Sequence, residues 1–305
     1  ISVAGIKYAP PNYLRMSMYL ELSRPAGDVS RWEKVLKRLT LLNKFYPLRY
    51  KKCKPVVQLK KEQKTLFFIV RDSFIEQGVI FFGGFAHSLY SKVNKTTDLD
   101  KTQDFDVICE EHERCAIIVK EKLIEKGILE KNIKITEHEN IGDVIPKHCQ
   151  IVVNKMTIAR IFEPIACHSY NILKIGHKEM NIATIDTIFS FYLAFIYVKK
   201  PYFNKERMLC IAQNLFHILQ KHRLTQNGIL KRFTITCYGK QPTLETMRAE
   251  KTQKFKELTK HRDSDEWNEW FFKYAPGSNL STDVLSKAVS KFVDDDEEET
   301  EQPIQ

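Results

Sequence analysis

The sequence predicts an α/β (α+β) fold in which strands and helices alternate up to about residue 165 and helices follow. Two short runs, 79–82 and 104–108, have the length and apolar content of buried strands. Segments with helical spacing of apolar residues lie between such runs. Two strongly apolar helical patterns, 185–197 and 206–222, dominate the second half.

Proline and capping residues delimit the first predicted elements. Pro10 and Pro11 end a strand and open a helix, which stops at Pro25. Ser30, with Glu33 three residues later, has the capping-box pattern of a second helix start. The predicted elements are a strand over 1–8, helices over 12–25 and 30–45, a basic loop over 51–64 and a helix over 65–77.

The elements that follow alternate strands with helices. Gly83-Gly84 separates the first apolar strand from a helix, and an Asn154-Lys155 turn joins the last two strands. The predicted strands are 79–82, 104–108, 133–137, 149–153 and 156–162, and the helices among them are 85–93 and 114–126.

A faint internal repeat suggests how the chain is divided. The order Tyr8, Asn12, Tyr19, Pro25 and a following helix recurs in 182–222 with matching spacing. Either two amphipathic helices resemble each other by chance, or the chain starts with the tail of a preceding repeat. The predicted segments are a helical tail of that repeat (1–50), an α/β domain (51–165), a helical C-terminal domain (166–290) and an acidic disordered tail (291–305).

Charge is distributed unevenly along the 305 residues. The net charge is +10, yet the last twelve residues hold seven acids and no base. The remaining 48 basic and 31 acidic residues give +17. A polyanion, with nucleic acid first, is the partner this charge favours, and a basic surface kept for solubility is the alternative.

Cysteine usage and hydropathy narrow the class of protein further. The seven cysteines are odd in number and scattered, and no CxxC occurs. This pattern excludes a disulfide framework and a zinc ribbon, and it predicts reduced intracellular thiols. No run of eighteen apolar residues is present, so we expect no membrane segment.

Two aspartates stand two positions apart in the second buried strand. Strand side chains alternate between faces, so Asp104 and Asp106 share one face about 7 Å apart, while Phe105 faces the core. Carboxylates held this close repel each other unless a cation lies between them, and Mg²⁺ or Mn²⁺ suits oxygen ligands. The alternative is that one Asp merely opens a turn.

The Gly83-Gly84 pair supplies a complementary feature. Glycines between a strand and a helix let backbone N–H groups approach a phosphate, and the helix N-terminus adds partial positive charge. His87 and Ser88 lie in the first turn and add donors. The pattern matches neither a Walker A loop nor a GxGxxG fingerprint.

This strand–Gly-Gly–helix–Asp-x-Asp order resembles the DNA polymerase β-type nucleotidyltransferase superfamily. More closely, the chain resembles catalytic poly(A) polymerases of large cytoplasmic DNA viruses, of the poxvirus-like and giant-virus type, over most of 65–275. The resemblance implies a palm with a mixed sheet, followed by a helical domain. The features that carry it are Gly83-Gly84-Phe85-Ala86, Gln103-Asp104-Phe105-Asp106, Cys167-His168-Ser169-Tyr170-Asn171 and the helical pattern over 182–195.

The resemblance implies transfer of AMP from ATP to an RNA 3′ hydroxyl, with two Mg²⁺ or Mn²⁺ ions. Asp104 and Asp106 would hold the ions. The implied nucleotide contacts are Gly83, Gly84, Ser88, Asn171 and Lys174. Implied partners are an RNA 3′ end and ATP, with a homodimer or a methyltransferase-like processivity subunit as alternatives. The implied location is the cytoplasmic viral factory of the host, and also the virion.

The family pattern includes a third carboxylate on a neighbouring strand, and this strand has no aspartate. By spacing before Pro164, the matching position is Ala159. Glu163 is the candidate third catalytic acid, and Glu137 and Glu139 are weaker ones. If no acid occupies the position, the enzyme is impaired.

Two lysine- and arginine-rich stretches are candidate RNA contacts. Basic residues interleaved with aromatics suit single strands, although charge runs are also found on ordinary solvated faces. The residues singled out are Lys60, Lys61, Lys64, Lys231 and Arg232.

Three functions therefore compete. The first is a template-independent RNA nucleotidyltransferase, most simply a poly(A) polymerase. The second is a catalytically impaired RNA-binding or scaffold subunit with the same fold. The third is a nucleotidyltransferase that acts on a small molecule or a protein.

Overall fold

The computed structural model describes residues 2–3, 6–7, 9–48, 61–93, 104–141, 145–198, 203–241 and 243–271. The predicted acidic tail, Lys60 and most of the basic loop lie outside these residues. The helices are α1 Pro11–Leu22, α2 Trp32–Phe45, α3 Lys61–Glu76, α4 Gly83–Val93, α5 His112–Glu125, α6 Ile185–Ile196, α7 Lys205–Lys221, α8 Leu244–Leu258 and α9 Asp265–Phe271. The strands are β1 Ser2–Val3, β2 Ile6–Lys7, β3 Ile80–Phe82, β4 Phe105–Ile108, β5 Ile133–His138, β6 His148–Val153, β7 Met156–Phe162, β8 His168–Ile175, β9 Lys178–Ala183 and β10 Cys237–Tyr238.

The chain divides into two compact units, 1–245 and 246–305. Within the described part of the first unit, eight strands form one mixed sheet in the order β10-β8-β9-β3-β4-β7-β6-β5. The β3/β9 and β4/β7 pairs are parallel, and the other neighbours are antiparallel. The predicted α/β class is therefore confirmed.

Aromatic side chains cover both faces of the central strands. Phe81 and Phe105 point to one face, where Phe105 stacks on Phe67 of α3 with ring centroids 4.3 Å apart. Phe82 and Phe162 point to the other face, toward Phe191 of α6. This alternation buries the sheet between two helical layers.

The predicted onset of helices after Pro164 is wrong for residues 168–183. Those residues form β8 and β9, an antiparallel pair in the same sheet as the first half. Ile175 pairs with Lys178, and Gly176 between them has φ +59°. A two-residue hairpin with glycine at positive φ was the overlooked signal.

Two parts of the chain have the same order of elements. Two short strands followed by two helices, β1–β2–α1–α2, stand first, and β8–β9–α6–α7 has the same order. The two first helices pack together, with Tyr19 of α1 stacked on Phe189 of α6 at 4.4 Å.

The Cys167–Cys237 disulfide corrects the expectation that the cysteines are all reduced. Cys167, just before β8, is bonded to Cys237 in the edge strand β10. The two lie 70 residues apart in the sequence, and the antiparallel pairing of β8 with β10 places them side by side. Cys109, Cys115 and Cys149 are buried free thiols. Among the described residues, every helix is too short or too polar to span a bilayer.

His168, at the start of β8, makes stability sensitive to acid. The ring is fully buried, and neither nitrogen has a hydrogen-bond partner among the described residues. Burial, with a smaller effect of Arg24, lowers the pKa of His168 from 6.5 to about 3. The unfolded chain therefore binds a proton that the folded protein rejects, and stability falls as pH drops below about 6.5.

We expect His168→Phe to remove about 2 kcal/mol of the stability loss between about pH 7.5 and about pH 5. Urea unfolding at both pH values measures this difference. His217→Gln, which changes an exposed histidine on α7, is the control and should leave the loss unchanged. An equal loss in His168→Phe and the unmodified chain would contradict the neutral buried ring.

Candidate functional site

Asp104 and Asp106 lie on one face at the start of β4. Asp104 immediately precedes the strand and Asp106 is its second residue. Phe105 between them points to the opposite face and packs on Phe67 and Phe81. The two carboxylate side chains are only 13% and 10% exposed, so the fold holds two acids together in a largely dry position.

Arg160 bridges the two carboxylates. Strand β7 runs parallel to β4 and places Arg160 opposite Asp106, on the same face. Nη1 of Arg160 donates to Oδ2 of Asp104 at 2.7 Å and to Oδ1 of Asp106 at 3.2 Å. The Arg160 side chain is 11% exposed, so this is a mostly buried ion-pair network.

The register of β7 shows which face of the sheet holds Ala159, the position matched by spacing before Pro164. Ala159 lies opposite Phe105, is fully buried, and belongs to the face away from the aspartates. The neighbouring-strand position that faces the aspartates is one residue further on, and it is occupied by an arginine. The residue of β7 beside the two aspartates is therefore a cation and not an acid.

A second guanidinium approaches from helix α7. Nη2 of Arg207, near the N-terminus of that helix, lies 3.6 Å from Oδ1 of Asp104. The four side chains carry two negative and two positive formal charges. The pair of aspartates is thus neutralised by the protein itself.

The electrostatics of the network favour a charged arginine. Burial raises the pKa of Asp106 to about 6, Arg160 opposes this shift, and the charge of Asp104 adds to it. Burial works against the charged form of Arg160, but the two carboxylates outweigh it, and the net effect raises the arginine pKa. Arg160 therefore remains a cation at neutral pH.

Gly83 lies directly against the carboxylate of Asp106. Its φ is +72°, a conformation that L side chains rarely adopt. A Cβ built on Gly83 would overlap Oδ2 of Asp106 and lie 2.7 Å from its Cβ. The predicted Gly83-Gly84 turn thus packs the N-terminus of α4 onto the aspartates, and both glycines are buried.

Ser88 and Asn171, two other predicted nucleotide contacts, form hydrogen bonds to backbone carbonyls of the protein. Ser88 is half-buried, and its Oγ donates to the carbonyl of Phe85 at 2.7 Å. The Asn171 amide donates to the carbonyls of Ile229 at 3.2 Å and Lys231 at 2.7 Å.

Lys174 is exposed and pairs with Glu179 at 2.8 Å. Asn171 and Lys174 both lie in β8, where residues three apart face opposite sides of the sheet, so the two side chains do not meet one ligand from the same face.

The candidate third acids are not brought to the aspartates. Glu163 follows directly after β7, three positions beyond Arg160. By the alternation of strand side chains it lies on the face of Ala159, away from the aspartates. Its N–H donates to the carbonyl of Lys147. Glu137 lies in β5, three strands from β4, which is about 14 Å at ordinary strand spacing. Glu139, just past the end of β5, is exposed.

Of the predicted RNA contacts, Lys61 and Lys64 lie at the start of α3, and Lys64 is exposed. Lys231 is half-buried. Arg232 instead forms a buried ion pair with Asp186, with contacts of 2.8–3.0 Å. Asp186 therefore holds Arg232 in place. The N-cap of α6 is a different residue, Thr184.

A pair of divalent ions does not fit the residues present. Among the described residues, no group of three or more His, Cys, Asp or Glu side chains could hold a metal ion. Mg²⁺ and Mn²⁺ need oxygen ligands, whereas the position facing the aspartates holds a guanidinium within hydrogen-bond distance of both.

Sequence reasoning missed Arg160 and Arg207. An arginine inside an otherwise apolar strand pattern, as in Ala159-Arg160-Ile161, indicates a buried acidic partner and was an available signal. Nothing in the amphipathic pattern of α7 distinguished Arg207.

Comparison with known proteins identifies the fold. No family model matches the sequence, and no curated protein is similar to it at a significant level. The structure is similar to the crystal structure of the Megavirus polyadenylate synthase, with a TM-score of 0.70 and 16% identity over 84% of this chain. The match covers 55% of that protein. At this identity the likeness shows a viral poly(A) polymerase-like fold.

Proposed function

We propose that this chain is a poly(A) polymerase-like nucleotidyltransferase-fold module that binds RNA and does not itself catalyse metal-dependent nucleotidyl transfer. The observation that carries the proposal is the Arg160 bridge between Asp104 and Asp106. This bridge favours the impaired module over the active enzyme, which the motif order alone had placed first.

The charge balance explains why the bridge matters. Arginine cannot be deprotonated in proteins, so Arg160 keeps its positive charge when a metal ion approaches the carboxylates. A divalent ion would have to displace a nearly buried cation from two carboxylates or share the site with it at short range. Both routes cost Coulomb energy in a poorly hydrated position.

Two observations support RNA as the ligand. The chain outside its last twelve residues carries a net charge of +17, which favours a polyanion. The structural neighbour is a polyadenylate synthase, a protein that by its name makes poly(A). A module with this fold and charge suits a role in holding RNA.

Active adenylyl transfer is the second candidate, and the Gly83–Asp106 packing favours it. The close approach of a positive-φ glycine to the aspartate preserves the local shape that the motif order predicted. In that case ATP, Mg²⁺ or Mn²⁺ and an RNA 3′ end would be the reactants. Arg160 would have to leave the carboxylates.

An extension assay separates the two candidates. End-labelled RNA is incubated with the protein, Mg²⁺ or Mn²⁺, and each nucleoside triphosphate separately, with a known poly(A) polymerase as positive control. We expect RNA binding in a mobility-shift assay and no extension, with Asp104→Ala indistinguishable from the unmodified chain. Extension that Asp104→Ala abolishes would establish the second candidate instead.

A further inference from the structure

An open cleft lies between α2, the C-terminal half of α7 and the segment that follows Lys231. Its volume is about 520 Å³, within the range of ligand sites in proteins. All of its walls belong to the first compact unit. The lining residues are Leu36, Thr40, Asn43 and Lys44 of α2, Phe216, Leu219 and Gln220 of α7, and Arg223, Leu224, Arg232 and Phe233.

Aromatic rings are available in this cleft and are held in place. Phe216 and Phe233 are half-buried, so part of each ring remains accessible. Trp32 packs against Phe233 with centroids 5.8 Å apart. The Arg232 guanidinium lies 5.1 Å from the centre of the Phe233 ring and is fixed by its ion pair with Asp186.

The charge of the cleft is positive. Lys44 and Arg223 are exposed at its edge, and neither pairs with a carboxylate among the described residues. Within the set of lining residues none is acidic. A partly accessible aromatic ring and two exposed cations in one cleft match the bases and phosphates of a single-stranded nucleic acid.

The cleft is separate from the aspartates although one helix reaches both. Arg207 near the start of α7 contacts Asp104, and Gln220 near its end lines the cleft. Thirteen positions on a helix correspond to about 20 Å along the axis. A ligand in the cleft therefore has no need of the aspartate site.

We infer that this cleft binds a single-stranded RNA segment, with a base stacked on Phe216 and the flanking phosphates paired with Lys44 and Arg223. The inference rests on the proposed RNA-binding function and assigns it to one surface. The charge of Arg232 is already satisfied by Asp186, so Arg232 holds the aromatic wall and makes no phosphate contact.

Fluorescence anisotropy with labelled oligo(A) and oligo(U) RNA of about 15 nucleotides tests the inference. The Lys44→Glu/Arg223→Glu double variant should bind at least about tenfold more weakly. The slope of log K against log salt should fall by about 1.4, because two phosphate contacts are lost. Phe216→Leu, which keeps apolar bulk and removes the ring face, should weaken binding about fivefold with the slope unchanged.

Lys126→Glu/Lys134→Glu is the matched control. It makes the same charge change at two exposed lysines near the end of α5 and in β5. Thermal melting verifies that each variant is folded. If both double variants bind RNA equally well, the cleft assignment is overturned while RNA binding stands. If the unmodified chain binds neither RNA, the proposed function itself fails.

Discussion

Replacing Arg160 with leucine is expected to destabilise the protein by about 3–5 kcal/mol at about pH 7.5. The substitution leaves Asp104 and Asp106 close together in a largely dry position, and it removes the main cation between them. Arg207 remains, with its Nη2 at 3.6 Å from Oδ1 of Asp104, which is longer than either Arg160 contact. Urea unfolding followed by circular dichroism measures the loss.

The same variant should recover stability at lower pH. Burial already raises the pKa of Asp106 from 3.8 to about 6, and loss of Arg160 removes the largest effect that lowers it. The folded protein then holds a proton that the unfolded chain releases, so the penalty is complete above the folded pKa and shrinks as pH falls through it. The loss at about pH 5 should therefore be smaller than at about pH 7.5.

A double-mutant cycle with Asp106→Asn provides the control. The neutral amide keeps the shape of the aspartate, so Arg160→Leu/Asp106→Asn should be more stable at neutral pH than Arg160→Leu alone. Additive losses from the two changes, with no dependence on pH, would contradict the ion-pair network.

Gly83→Ala is expected to cost about 3–4 kcal/mol. Part of this cost is the left-handed backbone conformation at φ +72°, and the rest is the overlap of the new Cβ with the carboxylate of Asp106. Thermal or urea unfolding measures the total.

Gly127→Ala isolates the backbone contribution. Gly127 follows α5 at φ +88°, and a Cβ there would meet no atom within 4 Å. This change should cost only about 1–2 kcal/mol. Equal losses at the two glycines would show that Asp106 does not pack against Gly83.

The strand that carries the aspartates could be predicted because its signals are local. Alternation along one strand fixes the shared face of Asp104 and Asp106, and a Gly-Gly pair after an apolar run marks the turn into α4. The apolar content of 79–82 and 104–108 likewise identified two central strands.

The residue that pairs with the aspartates, Arg160, could not be predicted from local signals, because its position depends on pairing between strands about fifty residues apart. A shift of one residue in the register exchanges the neutral Ala159 for Arg160 and so adds a positive charge beside the aspartates. The buried hydrogen bonds of Asn171 and the Arg232–Asp186 ion pair depend on long-range contacts as well. Their residue types look like surface or ligand-binding residues in the sequence.

The most direct test of the central claim is Mn²⁺ binding, followed by electron paramagnetic resonance of the free ion. The unmodified chain and Asp104→Ala should bind Mn²⁺ equally weakly. Arg160→Asp should gain a Mn²⁺ site, because three carboxylates then share one face. Adding Asp104→Ala to Arg160→Asp should abolish that site. Binding of Mn²⁺ by the unmodified chain that depends on Asp104 would contradict the claim that Arg160 closes this site to divalent ions.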